Sequence, residues 1–311
     1  MTAQVSDFAS RLEPIGRILQ LPDWYVWGST AIDGPDGRVH LFSSRWPRET
    51  GHGGWSTHSE IVHSVGESAE GPFEVADVAL RGRGGDRWDA QMVHNPTMHQ
   101  FGGRYYLVHI GNRDGRPFTQ QIGVAVADDL GGPWERFDQP ILGPGMHGAW
   151  DWLMATNPAL IGNPDGQFWL YYKAWDFSDR KRKIGLAVAD DPLGPYQKHP
   201  GNPLIDYSDQ GKQIEDPYVW VQDGLFYMLM ADDNEGVVKK HGGALVTSED
   251  GIRWSEPMLG YDTTDVYFDE PVRRFERPQV LIRDGRPAYL YLSMQDDPDR
   301  TDSSAVLRVE W

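Results

Sequence analysis

The chain has 311 residues, with 46 acidic against 29 basic side chains and a formal net charge of -17. That acidic excess speaks against a nucleic-acid backbone or an anionic membrane surface as partner, since both need a basic footprint. The absence of cysteine excludes disulfides and thiolate metal sites, while 13 Trp, 13 Tyr and 11 Phe suit many short strands packed face to face.

Residues 1–16 read as a polar lead without the basic start and apolar run of a secretory signal, which makes the cytoplasm the expected location. No stretch approaches the roughly 20 apolar residues of a membrane span. Arg17-Ile18-Leu19-Gln20 then reads as one short strand.

A first unit follows. Trp27-Gly28-Ser29 leads through the turn Asp36-Gly37 to Arg38-Val39-His40-Leu41, and Ser59 to Ser64 supplies a third strand. Gly71-Pro72-Phe73 makes a turn and Val78 to Leu80 a short last strand. Between the second and third strands lies an excursion, Arg45 to His58, rich in Gly, Trp and His. Loops of this length are usually functional or disordered. This one is expected to reach over a central opening, a Gly-rich surface loop being the plainer alternative.

The same order recurs four more times. His94-Asn95-Pro96 leads to a Gly102-Gly103 turn, Thr156-Asn157-Pro158 to Asp165-Gly166, Glu215-Asp216-Pro217 to Asp223-Gly224, and Glu276-Arg277-Pro278 to Asp284-Gly285. Third strands are expected at Ile122 to Ala127, Ile184 to Ala189, Gly243 to Ser248 and Ser304 to Val309, with short last strands at Ile141-Leu142, Leu204-Ile205 and Met258-Leu259. The position before proline, or its equivalent, falls at 28, 95, 157, 216 and 277, steps of 67, 62, 59 and 61 residues by subtraction. A residue before proline is pushed from the helical region, so each of these segments is expected to run extended. Five units of four strands predict an all-β, five-bladed β-propeller, a single domain over residues 1–311. The last unit stops after its third strand at Trp311, so the strand at 17–20 is expected to complete that blade and close the ring.

In a propeller the segment entering each innermost strand lies at the mouth of the central channel. Polar residues there converge from different blades, which makes them the default candidate site. They include His94, Asn95, Asn157, Asp216, Glu276 and Arg277, with Lys173 and Arg45 ending inner strands and His241 ahead of a third strand. Blades two and three share Trp88-Asp89 and Trp150-Asp151 at identical spacing ahead of Asn-Pro. There the tryptophans offer flat faces to sugar rings; the plainer reading is a blade cap and ordinary turn chemistry. Asp23, Asp89, Asp151, Glu215, Asp216 and Glu276 cluster at the same mouth, and paired carboxylates with separated pKa values are what glycosidic cleavage requires. No metal-ligand spacing, phosphate loop or nucleotide fingerprint is present, so no cofactor is expected.

This five-fold pattern resembles the five-bladed glycoside hydrolases of family 43 and its relatives, families 32, 62, 68 and 117. The resemblance covers nearly the whole chain. It implies a general acid at Glu215, one residue ahead of the blade-four position, though Asp216 stands where the family has Gly. It implies a base at the blade-one position and an orienting acid at the blade-three position, and here those are Gly28 and Asn157. Neither can do the work, so Asp23 or Asp89 is expected to be the base and Asp151 the orienting acid. Family 117 is a precedent for an altered arrangement with a histidine as candidate acid, which keeps His94 and His241 in view. The expected function is an exo-acting, inverting glycoside hydrolase on oligosaccharides. The alternatives are a carbohydrate-binding propeller without catalysis, and a phosphorylase or transferase whose anion pocket would draw on Arg45, Arg277 and Lys173. The sequence leaves oligomeric state open.

Overall fold

The computed structural model of the chain describes residues 4–116, 118–232, 235–269, 272–296 and 302–311. Its strands form five four-stranded antiparallel sheets, each made of consecutive strands except where the termini meet. Blade one holds β2 (Trp24–Asp33), β3 (Val39–Pro47), β4 (Glu60–Gly66) and β5 (Glu74–Leu80). Blade two holds β6 (Met92–Phe101), β7 (Arg104–Asn112), β8 (Gln121–Ala127) and β9 (Glu135–Arg136). Blade three holds β10 (Thr156–Gly162), β11 (Phe168–Ala174), β12 (Lys183–Ala189) and β13 (Gln197–Lys198). Blade four holds β14 (Ile214–Gln222), β15 (Leu225–Asp232), β16 (Gly243–Ser248) and β17 (Met258–Tyr261). In blade five β18 (Val272–Arg283), β19 (Arg286–Asp296) and β20 (Ser303–Val309) are completed by β1 (Leu12–Leu19).

Ring closure therefore happens where the sequence placed it, with a longer strand. Leu12 pairs Val309 and Leu19 pairs Ser304, so the edge that β20 would otherwise expose is paired. The polar lead is also more than a lead. Phe8, in the short helix α1 (Asp7–Ser10), is buried against Trp220 of blade four at a ring separation of 5.6 Å. The outer strands of blades two and three depart from expectation. Ile141-Leu142 and Leu204-Ile205 make only single bridges, Leu142 to Ile122 and Ile205 to Ile184, while the paired strands lie earlier, at β9 and β13. Prolines between the two points, Pro140 and Pro200, carry no N–H for the ladder.

The core lies between blades. Trp220, Leu229 and Leu245 of blade four face Val280, Leu290 and Leu307 of blade five, and Phe42 and Ile61 of blade one face Val93 and Leu107 of blade two. The other three interfaces repeat this layering, so each sheet is covered on both faces and its inner strands read as nearly continuous apolar runs.

The feature that builds the site is a bulge repeated five times. The ladder between the first two strands slips at Trp27/Thr30, His94/Thr97, Thr156/Ala159, Glu215/Tyr218 and Glu276/Gln279. At each slip one residue takes a positive φ: Gly28 (61°), Asn95 (52°), Asn157 (49°), Asp216 (57°) and Arg277 (51°). The extended approach expected before proline is thus a left-handed residue inside a bulge. Proline disfavours only the right-handed helical region for its neighbour, and Gly, Asn and Asp are the residues that enter the left-handed region most readily. Bulges re-aim side chains, and those of Asn95, Asn157, Asp216 and Arg277 meet one another across the blades. Arg277 is the exception to the composition rule and carries a backbone cost of order 1–2 kcal/mol.

Candidate active site

The five bulge residues form the floor. The Asn95 amide donates to Asn157 Oδ1 at 2.9 Å, and the Asn157 amide donates to Asp216 Oδ1. The Arg277 backbone N–H donates to Asp216 Oδ2 at 3.0 Å, and its guanidinium donates from Nη2 to the Asn95 carbonyl at 3.3 Å. Gly28 completes the ring by what it lacks. A Cβ there would stand 3.0 Å from Asn95 Oδ1 and 3.7 Å from Arg277 Nε, so the space of a blade-one side chain is taken by its neighbours. Arg277 is buried to 1% exposure, with its guanidinium beside Gly28, the position where the resemblance implies a carboxylate. Burial pushes the Asp216 carboxyl up, as does Glu215 beside it, while Lys173 and Arg277 oppose the shift.

Above this floor opens a pocket of about 290 Å³ whose two walls differ in chemistry. One wall is aromatic. Trp27, Trp46, Trp55, His52 and His94 line it, supplied by β2, β3, β6 and the blade-one excursion. That excursion is ordered as two short 3-10 turns and a helical turn, Trp55–His58, tied down by the Trp46 indole donating to the Gly51 carbonyl at 3.1 Å. Trp55 stacks on His94 at 5.1 Å, and His94 Nδ1 is 2.8 Å from Ser59 Oγ. Burial, with Arg277 and His52 nearby, holds the His94 imidazole well below its usual range, so it is neutral.

The other wall is charged. Glu215 meets the Lys173 ammonium at 2.7 Å and the Arg182 guanidinium at 3.4 Å, and Glu276 meets Arg274 at 2.6 Å. Burial alone would raise the Glu215 carboxyl, but Arg182 and Lys173 outweigh it and bring it down to about 2. Glu215 is consequently an anion in the resting pocket. Phe118, Gln120 and Trp175 form the lip between blades two and three.

Of the residues singled out in the sequence, His94, Asn95, Asn157, Lys173, Glu215, Asp216 and Glu276 line this pocket, and Arg277 lies beneath its floor. The others lie elsewhere. Asp23 is exposed, its carbonyl accepting the Arg48 N–H at 2.9 Å. Arg45 pairs with Glu60 at 2.8 Å and covers the Trp24 ring at 4.2 Å, and His241 sits in the turn before β16, its N–H donating to the Asp232 carbonyl at 3.0 Å.

The Trp-Asp repeat is a blade clamp. Trp88 lies against Gly123 of the third strand, where a Cβ would come within 2.3 Å of the ring, and Asp89 binds Arg83 at 2.8 Å and Arg136 of the outer strand. Trp150 lies in the same way against Gly185, and Asp151 binds the Tyr172 hydroxyl at 2.9 Å and Lys198 of the outer strand at 2.6 Å. Asp89 and Asp151 are 1% and 2% exposed, Asp89 with both oxygens on arginines and Asp151 with Oδ2 on Lys198 and the Tyr172 hydroxyl, and neither lines the pocket. With Arg45 paired outside the pocket and Lys173 held by Glu215, the cations named for an anion pocket do not assemble one. Sequence reasoning missed His52, Trp55, Arg182 and Arg274. The Gly-Trp-His composition of the blade-one excursion signalled the first two, and nothing in the local sequence marked the arginines.

A five-bladed propeller whose axial pocket sets carboxylates opposite tryptophans is the architecture of glycoside-cleaving enzymes. Residues 71–249, more than half of the chain, match the model of glycosyl hydrolases family 43, and the chain belongs to that family. It is 28% identical over 126 residues to an extracellular endo-α-(1→5)-L-arabinanase of Thermotoga petrophila, and 23% identical over 198 residues to a second such arabinanase from Bacillus subtilis. These matches cover 36% and 60% of this chain but only 24% and 39% of the relatives. The chain thus spans well under half the length of either. Among solved structures, a family 117 glycoside hydrolase from Zobellia galactanivorans superimposes over 99% of this chain and 88% of its own, with a TM-score of 0.72 at 17% identity. A family 43 enzyme from Xanthomonas citri complexed with xylotriose superimposes over 95% and 88%, with a TM-score of 0.63 at 17% identity.

Proposed function

We propose that the protein is a glycoside hydrolase that removes single terminal sugars from short oligosaccharides, with inversion at the anomeric carbon. The observation that carries this reading is the pairing of an ionised, buried Glu215 with a tryptophan wall across one axial pocket. The tryptophans offer apolar ring faces, and the Lys, Arg and Glu wall offers charge-assisted hydrogen bonds to hydroxyls. At about 290 Å³ the pocket lies at the small end for ligand sites, and the ordered excursion Arg48–His58 walls one side; both features favour a chain end over an internal bond.

Glu215 is anchored to its own wall by Lys173 and Arg182, and here we assign it the base's part in place of the proton donor's part that the resemblance implies. In this reading it acts on the anomeric carbon through a water, whose proton it takes, while its charge faces the oxocarbenium-like transition state. The test is turnover of aryl pentofuranosides, pentopyranosides and hexopyranosides of both anomers by the wild type and by Glu215→Gln, with the first-formed product anomer read by NMR. Turnover that collapses by 10²-fold or more in the variant, with an inverted product, supports the proposal. A retained product contradicts the inverting part, and unchanged turnover contradicts the role of Glu215.

One observation favours a second reading. The axial position of blade one holds a glycine backed by Arg277, so a sugar-binding propeller without catalysis has a structural basis. Sugar binding without turnover across the panel would select it.

A further inference from the structure

The pocket needs a proton for the departing oxygen, and its carboxylates are poor sources. Glu215 is paired with Lys173 and Arg182, Glu276 with Arg274, and Asp216 accepts from Asn157 and Arg277 on its two oxygens. His94 is buried with Nδ1 against Ser59. One further titratable side chain lines the pocket among the described residues, and it is built differently from these.

His52 begins the second 3-10 turn of the blade-one excursion. Its Nδ1 is 2.7 Å from a carboxylate oxygen of Asp302, which stands at the head of β20 in blade five and is itself 2% exposed. Asp302 is fixed from the other side, since its carbonyl accepts the Val26 N–H at 3.1 Å. The imidazole lies among three aromatic rings, Tyr25 at 5.9 Å, Trp27 at 5.6 Å and Trp46 at 5.9 Å. With Nδ1 committed to Asp302, Nε2 on the opposite edge of the ring makes no protein hydrogen bond among the described residues, and the side chain is 39% exposed along the pocket. A buried carboxylate on one ring nitrogen fixes the tautomer and orients the ring, and the edge contacts with the three aromatic rings hold it in place.

We propose that His52 is the catalytic proton donor of this pocket and Asp302 its positioning residue. The inference rests on the glycosidase reading above. In the imidazolium, Nδ1–H stays on Asp302 while Nε2–H passes its proton to the glycosidic oxygen as the bond from that oxygen to the anomeric carbon breaks. Water forms the new bond to that carbon and loses one proton to Glu215. One proton given and one taken add water across the bond, and exchange with solvent resets both groups. The charged and titratable groups facing His52 are Asp302 from blade five, Tyr25 from β2 and His94 from β6.

The experiment varies the leaving group. Wild type, His52→Gln, Asp302→Asn and Glu215→Gln are assayed on aryl glycosides whose phenols run from strongly acidic, such as dinitrophenol, to weakly acidic, together with an alkyl glycoside. Thermal melts establish that each variant is folded. His52→Gln is expected to lose about 10²–10⁴-fold in kcat/KM on alkyl and weakly acidic aryl substrates, and progressively less as the phenol becomes more acidic and needs no proton. Asp302→Asn is the second, milder probe. It is expected to lower kcat/KM most on the alkyl and weakly acidic aryl substrates and progressively less as the phenol becomes more acidic, because the ring loses the partner that fixes its tautomer and orients Nε2. A His52→Gln loss of equal size across all leaving groups, or no loss, overturns the proposal. An Asp302→Asn loss that is absent, or equal across all leaving groups, overturns it independently of how His52→Gln folds. If the wild type turns over no member of the series, the glycosidase reading itself fails, an outcome distinct from either.

Discussion

Replacing Lys173 by Met tests the electrostatics of the charged wall. The lysine ammonium is 2.7 Å from a Glu215 oxygen, in a pair whose side chains are 12% and 10% exposed. The Glu215 carboxyl is brought from its ordinary 4.5 to about 2 by Arg182 and Lys173 against the opposing pull of burial. A carboxyl depressed in the folded chain stabilises it above the unfolded value and loses that contribution as pH falls, here between about 4.5 and 2. At 1.36 kcal/mol per unit the shift amounts to about 3 kcal/mol at neutral pH, of which Lys173 supplies a large part. In Lys173→Met the carboxylate keeps its burial and loses its nearest cation, so destabilisation at pH 7 should reach about 3 kcal/mol, or roughly 6–12 °C in Tm at 2–4 °C per kcal/mol. The variant should then take up a proton on Glu215 at higher pH than the wild type does. The Tm gap between the two should accordingly hold near pH 7 and shrink as pH is lowered through about 4.5 toward 2. Melting both proteins at half-unit pH steps measures this. A gap of constant size across that range would refute the argument, because it would mean that Lys173 contributes by packing alone.

Three further outcomes follow from other parts of the molecule. Gly28→Ala places a Cβ 3.0 Å from Asn95 Oδ1 at a φ of +61°, and should cost about 1–2 kcal/mol from the backbone alone by urea unfolding. Asp89→Asn leaves Arg83 and Arg136 without their carboxylate and should cost about 3–5 kcal/mol in the same assay while kcat of the folded enzyme stays within about twofold; a selective loss of kcat would return Asp89 to the list of bases. Phe8→Ala removes the ring packed on Trp220 and should lower stability by about 3 kcal/mol, and normal stability would show that the N-terminal helix is a passive lead.

The fold was legible because it is written five times. Once the Asx-Pro or Glu-Arg-Pro segment, the Asp-Gly turn and the Gly-Pro-aromatic turn recur in step, the blade count and the chain closure follow with no long-range information. The bulge was not legible, since a proline signals only that its neighbour avoids the right-handed helix, and the choice between extended and left-handed is made by the ladder on both sides. The floor of the site came out because each of its residues occupies the repeated position. The walls came from what is not repeated. His52 and Trp55 belong to an excursion found in one blade, Arg182 precedes β12 and Arg274 lies within β18, and Asp302 meets His52 across 250 residues of chain. Trp88-Asp89 and Trp150-Asp151 show the opposite hazard. A motif recurring at fixed spacing near a channel mouth looked catalytic, yet its recurrence reflects a packing need shared by two blades: a glycine to lie against and a cation on the outer strand to hold.

The most direct test of the central claim is a time course of product release from a set of short oligosaccharides, with wild type and Glu215→Gln assayed in parallel. The account predicts that at least one oligosaccharide yields a single monosaccharide from the first time point, shortened by one residue at a time, and that Glu215→Gln slows this release by 10²-fold or more. Internal fragments appearing first, or release by Glu215→Gln at the wild-type rate, would contradict it.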